Sequence, residues 1–255
     1  METLPRDKVL DLDLAMENGL LCETLMAQKK YAEAEQYAKK KLALEESLLH
    51  SDDAVLVHSL TLIGDCEIQQ EQFAGAEPFY KRASEIARLQ KFPTLGNLLL
   101  TLARTEAQLK EFSKAETYKQ QALAVKHKAN QVEFAENMRR LGVAFMRKQQ
   151  WAEADACYQE AAEILASIHQ DSSPTMAMLT ANRGRLCYRQ EQYAQAEILY
   201  QKAMSMIKTT NRPVNKEVWN GMAEVLEKEG KTDQASKLRE QLKATASDVA
   251  KPVPH

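Results

Sequence analysis

A six-fold recurrence constrains this chain more than any other feature of its sequence. An aromatic residue followed three positions later by alanine occurs at Tyr31, Phe73, Phe112, Trp151 and Tyr193, and a degenerate sixth copy at Thr232 keeps the alanine as Ala235. Neighbouring anchors are 39 or 42 residues apart throughout. A repeat of this length is one supersecondary unit that cannot bury its apolar face alone, so the units must stack on one another.

The interior of each copy repeats as well. Nine residues before the anchor the chain holds Cys22, Gly64, Ala103, Gly142, Gly184 and Ala223, all small enough for two backbones to approach closely. Thirteen residues before it stand Asn18, Leu60, Leu99, Met138, Thr180 and Trp219. Three residues further on come Leu21, Ile63, Leu102, Leu141, Arg183 and Met222. The mostly apolar pairs at this spacing mark one buried face of a helix. Ten residues after the anchor Ala83, Ala122, Ala161 and Ala203 mark a second helix, and Lys41 and Leu242 break that pattern in the end copies. Each copy therefore reads as two antiparallel helices.

Composition agrees. Only 8 glycines and 7 prolines interrupt 255 residues, and aromatics make up 6%. Alternating β-branched runs that would signal strands are missing. Pro93, Pro174 and Pro213 each precede an anchor by 19 residues, where a first helix should begin and a missing N–H costs little. Pro78 is expected in the first turn of a second helix. The expected fold is all-α, about twelve helices in six helix-turn-helix units. Residues 1–6 form an N-terminal extension, 7–245 a single solenoid domain, and 246–255 a disordered tail.

These units resemble the tetratricopeptide repeat. Their length exceeds that family's usual period, and the segments His50-SDDAVLVHSLTLIGDCEIQQEQFAGAEPFYKRASEI and Ser172-SPTMAMLTANRGRLCYRQEQYAQAEILYQKA look like the longer repeats of the kinesin light chain. The resemblance implies a right-handed solenoid whose first helices line a groove. In the kinesin light chain paired asparagines lie 12 and 11 residues before the anchor, where this chain has Thr61-Leu62 and Ala181-Asn182. Repeats that clamp chaperone C-termini need asparagines where this chain has Glu23 and Asp65.

No catalytic signature is present: there is no G-x-S-x-G, no phosphate loop and no H-E-x-x-H. The cysteines Cys22, Cys66, Cys157 and Cys187 are scattered without a C-x-x-C pair, and the five histidines form no ligand motif, so neither metal nor cofactor is expected. With 34 Lys and Arg against 36 Asp and Glu, the total charge of -2 disfavours nucleic acid and anionic membranes. No run is long and apolar enough to span a bilayer, and the expected location is cytoplasmic. A helical-repeat reader of nucleic acid is the alternative reading.

What remains is the groove. The offsets that face it in the family place Arg104, Arg139, Arg140, Arg147, Arg185 and Arg189 on one wall with Asn182 and Tyr188, between apolar or acidic ends. Guanidinium forks match carboxylates, so the expectation is a non-enzymatic scaffold or adaptor that binds an acidic peptide or helical segment of a partner protein. The competing reading is that these arginines only pair with neighbours such as Glu136. Self-association is left open.

Overall fold

The computed structural model describes residues 6–125, 130–209 and 215–249, which contain twelve α-helices and no strand. They are α1 (Arg6–Ala27), α2 (Tyr31–Leu48), α3 (Leu56–Gln69), α4 (Phe73–Leu89), α5 (Leu95–Gln108), α6 (Phe112–Ala124), α7 (Gln131–Arg147), α8 (Trp151–Ser167), α9 (Pro174–Arg189), α10 (Tyr193–Thr209), α11 (Lys216–Lys228) and α12 (Thr232–Val249). Every anchor of the repeat is the first residue of an even-numbered helix, and every odd-numbered helix ends four residues before it. The five aromatic anchors are half-buried, as side chains that plug a turn should be.

The turn between the two helices is the same in all six copies. Two residues before the anchor the backbone is left-handed, at Lys29, Glu71, Lys110, Gln149, Glu191 and Gly230 (φ between 60 and 76°). The next N–H then reaches back to the carbonyl five residues earlier, from Gln72 to Glu67 at 2.8 Å and from Gln150 to Phe145 at 3.0 Å. This closing bond satisfies carbonyls that a helix end leaves unpaired. Only copy six uses glycine there. The other five accept the strain of a side chain at positive φ, about 1 kcal/mol each.

First helices start by different means. Ser173 caps α9 by accepting from the Met176 N–H at 3.2 Å, with Pro174 at the first helical position. Asn215 caps α11 by accepting from Glu217 and Val218 at 3.0 and 3.3 Å. Both follow from the preference of short polar side chains for a helix N-cap. Pro78 departs from its expected place: it is the sixth residue of α4, in the second turn, on the exposed side. Pro213, His127 and residues 250–255 lie outside the described residues, and α12 runs to Val249.

The helices form two compact units, residues 1–130 with α1–α6 and residues 131–255 with α7–α12. In each, consecutive helices pack side by side; among first helices α1 also touches α3, α7 touches α9, and α9 touches α11. The small position nine residues before the anchor works as a notch. In the first unit Gly64 receives the ring of Tyr80, and in the second Gly142 receives Tyr158 and Gly184 receives Tyr200. The tyrosine always sits seven residues after the anchor. Where the notch holds Cys22, Ala103 or Ala223 instead, that second position is Ala38, Lys119 or Arg239. A ring enters only where the facing side chain is a hydrogen atom. Tyr158 is fully buried, and its truncation to alanine would cost roughly 3–5 kcal/mol.

The first unit also buries charge. Lys41, which broke the alanine pattern, is 7% exposed, pairs with Glu45 and donates to Ser59 Oγ at 2.8 Å, while Ser59 in turn donates to Glu45. The thiols of Cys22 and Cys66, far apart in sequence, are neighbours inside this unit. Glu67 and Glu106, each six residues before an anchor, are 5% and 0% exposed. Both carboxyl oxygens of Glu106 are buried. Burial pushes the Glu106 carboxyl above its ordinary value of 4.5, and Glu77 raises it further while Lys114 opposes. Glu67 is raised by burial and then by Glu35.

Two outcomes follow from this packing. Alanine normally favours a helix over glycine by about 1 kcal/mol, yet a methyl group on Gly142 would stand 2.5 Å from a Tyr158 ring carbon, against 3.2 Å for Gly184 and Tyr200. Gly142→Ala should therefore lower the melting temperature, at a cost of roughly 1–3 kcal/mol, while Gly184→Ala should stay close to wild type. Equal effects at both sites in thermal unfolding would refute the notch. The second outcome concerns proton uptake. A carboxyl raised by folding stabilises fully below its unfolded value of 4.5 and loses that contribution as pH climbs towards its folded value. As pH rises above the ordinary glutamate value of 4.5 the wild type should lose more stability than Glu106→Gln, and parallel pH profiles for the two would count against a protonated Glu106.

Candidate functional site

The arginines named from the sequence divide between the two units. Arg104 belongs to the first, on α5, half-buried, with its positive charge close to the Tyr80 hydroxyl, which donates to Asp65. Arg139, Arg140 and Arg147 on α7, and Arg185 and Arg189 on α9, belong to the second.

Within the second unit α7 packs on α9, and α9 on α11. Two rings that fill the glycine notches tie the wall together. Arg139 and Arg185 both lie near the Tyr158 hydroxyl, and Arg185 and Arg189 both lie near that of Tyr200. Burial pushes Tyr200 up to about 12 although the two guanidinium charges pull the other way. Tyr158 is raised for the same reason, and its hydroxyl is buried without a partner. Nothing places Arg147 beside these rings, but it is exposed on the last turn of α7.

Glu136 separates the arginines into two kinds. It accepts from Arg139 Nε at 2.8 Å and Nη2 at 2.7 Å, and from Arg140 Nε at 3.0 Å. Burial alone would raise this carboxyl, but the bonds and charges of both arginines outweigh it and hold it below the ordinary glutamate range. The two-pronged contact to Arg139 is the strong form of a charge-assisted bond. Arg139 and Arg140 are thus matched internally. Arg147, Arg185 and Arg189 are exposed and make no ion pair among the described residues.

Between α9 and α11 lies a cavity of about 190 Å³ with Tyr200 from α10 at its base. Asn182 and Arg185 line one side, Glu217, Gly221 and Glu224 the other. Gly221 makes the base possible, since a methyl group there would stand 2.4 Å from the Tyr200 hydroxyl oxygen. The Asn182 Nδ2 is buried at this cavity and donates to nothing in the protein. An unanswered buried donor costs about 1–3 kcal/mol, which an acceptor from outside would recover. Tyr188 is half-buried, its ring tilted 60° and 5.7 Å from that of Tyr193.

A larger cleft, about 690 Å³, opens where Trp151 begins α8. Gln150, Gln190 and Gln192 line it beside Cys187 and the Arg183–Asp155 pair, which is 3.0 Å long. The sequence pattern marks Trp151 as an anchor of the repeat and carries no sign of the opening beside it. Tyr158 and Tyr200 were also missed as parts of the wall; the exchange of glycine and tyrosine between copies is the signal that could have found them. Among the described residues no group of three or more His, Cys, Asp or Glu side chains could hold a metal ion, and no helix is long and apolar enough to cross a membrane.

Comparison with known proteins fits this architecture. The BtubC (BKLC) protein from P. vanneervenii is 15% identical with a TM-score of 0.63, over 100% of this chain and 95% of that one. Nearly identical kinesin light chain TPR-like repeats from Podosopora anserina are 13% identical with a TM-score of 0.51, covering 93% and 97%. NprR in complex with its cognate peptide NprX is 15% identical with a TM-score of 0.55, covering 94% and 68%. Such identities speak of fold alone. No curated protein matches the sequence. The sequence pattern of the tetratricopeptide repeat, however, matches residues 13–88 and 133–209. Those matches take in more than half of the sequence and fall on helix pairs whose anchors, notches and turns repeat in register, and the chain therefore belongs to the tetratricopeptide repeat family.

Proposed function

We propose that the chain is a non-enzymatic protein-binding module, a cytoplasmic scaffold or adaptor, that holds an acidic peptide or helical segment of a partner protein against the first helices of its second unit. The observation that carries this reading is the unmatched polarity of that wall: Arg147, Arg185 and Arg189 have no ion pair among the described residues, and the buried Asn182 amide has no acceptor. Side chains satisfied within the fold, such as Arg139 and Arg140, hold the wall in place. The unsatisfied ones are left for a ligand. NprR, which binds a cognate peptide and shares this fold, supports the choice of a peptide as the ligand class.

The test is capture from native extract by the wild type and by the double variant Arg185→Glu, Arg189→Glu, with bound segments mapped by cross-linking. Both sites are exposed, so the fold should change by no more than about 0.5 kcal/mol. Captured segments should be rich in Asp and Glu, and capture should weaken as salt rises. The double variant should lose them, since breaking a desolvated charge pair costs roughly 2–5 kcal/mol. A variant that holds the same partners at undiminished affinity would show that this wall is not the binding surface.

A further inference from the structure

The cavity between α9 and α11 carries unmatched charges of both signs. Arg185 stands on one side with the Asn182 amide, and Glu217 and Glu224 stand on the other. None of these three charged side chains makes an ion pair among the described residues. The nearby bases that could neutralise the acidic side are already engaged. Arg139, whose charge reaches Glu217, is held by Glu136 at 2.7 Å, and Arg239, whose charge reaches Glu224, is held by Glu227 at 3.1 Å. Opposite charges are thus held across a space that they do not close by pairing with each other.

From this we infer that the site selects a dipolar segment, one carrying an acidic residue for Arg185 and Asn182 and a basic residue for Glu217 and Glu224, rather than a uniformly acidic one. The inference rests on the proposed use of this wall for binding. Its geometry sets the spacing. Neighbouring helix axes lie about 8–10 Å apart, and an extended chain advances about 3.3 Å per residue, so the acid and the base should be two or three residues apart. The carboxylate meets a guanidinium fork and an amide donor, and the ammonium or guanidinium meets two carboxylates. A uniformly acidic segment would satisfy the first half and be repelled by the second. Specificity of this kind depends on the repulsive element as much as on the attractive one.

The experiment uses the full chain and three fluorescein-labelled synthetic peptides of equal length: one with Asp and Arg three residues apart in an otherwise neutral sequence, one with both positions Asp, and one with both Arg. Fluorescence anisotropy should rank the mixed peptide at least about tenfold above either of the others for the wild type. In the Glu217→Lys, Glu224→Lys double variant the ranking should invert in favour of the acidic peptide, and Arg185→Glu should abolish binding of the mixed and acidic peptides alike. If the wild type binds the acidic peptide as tightly as the mixed one and the lysine variant changes nothing, the dipolar inference is overturned while the arginine wall stands as a receptor. If no peptide binds the wild type, or Arg185→Glu leaves all three unchanged, the wall reading itself fails and takes this inference with it.

Discussion

A tyrosine ring seated on a glycine is the contact on which much of this architecture depends. It sets how closely the two helices of a pair approach, because the ring needs a backbone with no Cβ beneath it and then fills the space that a larger residue would leave as a void. In the second unit the same rings reach further. Tyr158 and Tyr200 stop the core and present their hydroxyl ends to the wall where Arg139, Arg185 and Arg189 stand. The proposed binding surface is therefore the outer side of the packing, with its guanidinium groups standing close to tyrosines of the core.

Electrostatics on that wall follow from the positions of the carboxylates. Glu136 lies three and four residues before Arg139 and Arg140, the spacing at which helical side chains meet, so these pairs form within one turn of α7. Arg185 and Arg189 have no acid at the equivalent positions of α9, where Ala181 and Asn182 precede the first and Arg185 and Leu186 precede the second. Six arginines on one predicted wall were thus never equivalent. Local sequence determines which of them stay available.

Much of the fold was legible because it is periodic. Anchors, notch positions and the alternation of helices recur six times, and each copy corroborates the others. What stayed hidden depends on contacts between copies or on geometry that side-chain identity does not announce. Five of the six left-handed turn residues are Lys, Glu or Gln, where glycine would have advertised the turn. Pro78 conformed to the helix but not to its first turn. Cys22 and Cys66 meet only because α1 and α3 are brought together. At the site, Asn182 and Arg185 were legible from the offset rule, whereas the cavity that joins them to Glu217 and Glu224 needed Gly221 and Tyr200 to be placed in space.

Near-identical building blocks carry a hazard during folding, since a helix can dock against the wrong copy at little cost in apolar contact. The buried Lys41 changes that balance. It sits with Glu45 on α2 and is completed by Ser59 from α3. At the position of Ser59 the later first helices offer Leu98, Asn137, Leu179 and Val218. Three of those four would press an aliphatic group onto an ion pair that has left water, and a buried charge short of a partner costs several kcal/mol. Lys41 thus acts as an address label: α3 answers its buried ion pair with a hydroxyl, where Leu98, Leu179 and Val218 of later first helices would face it with an aliphatic group.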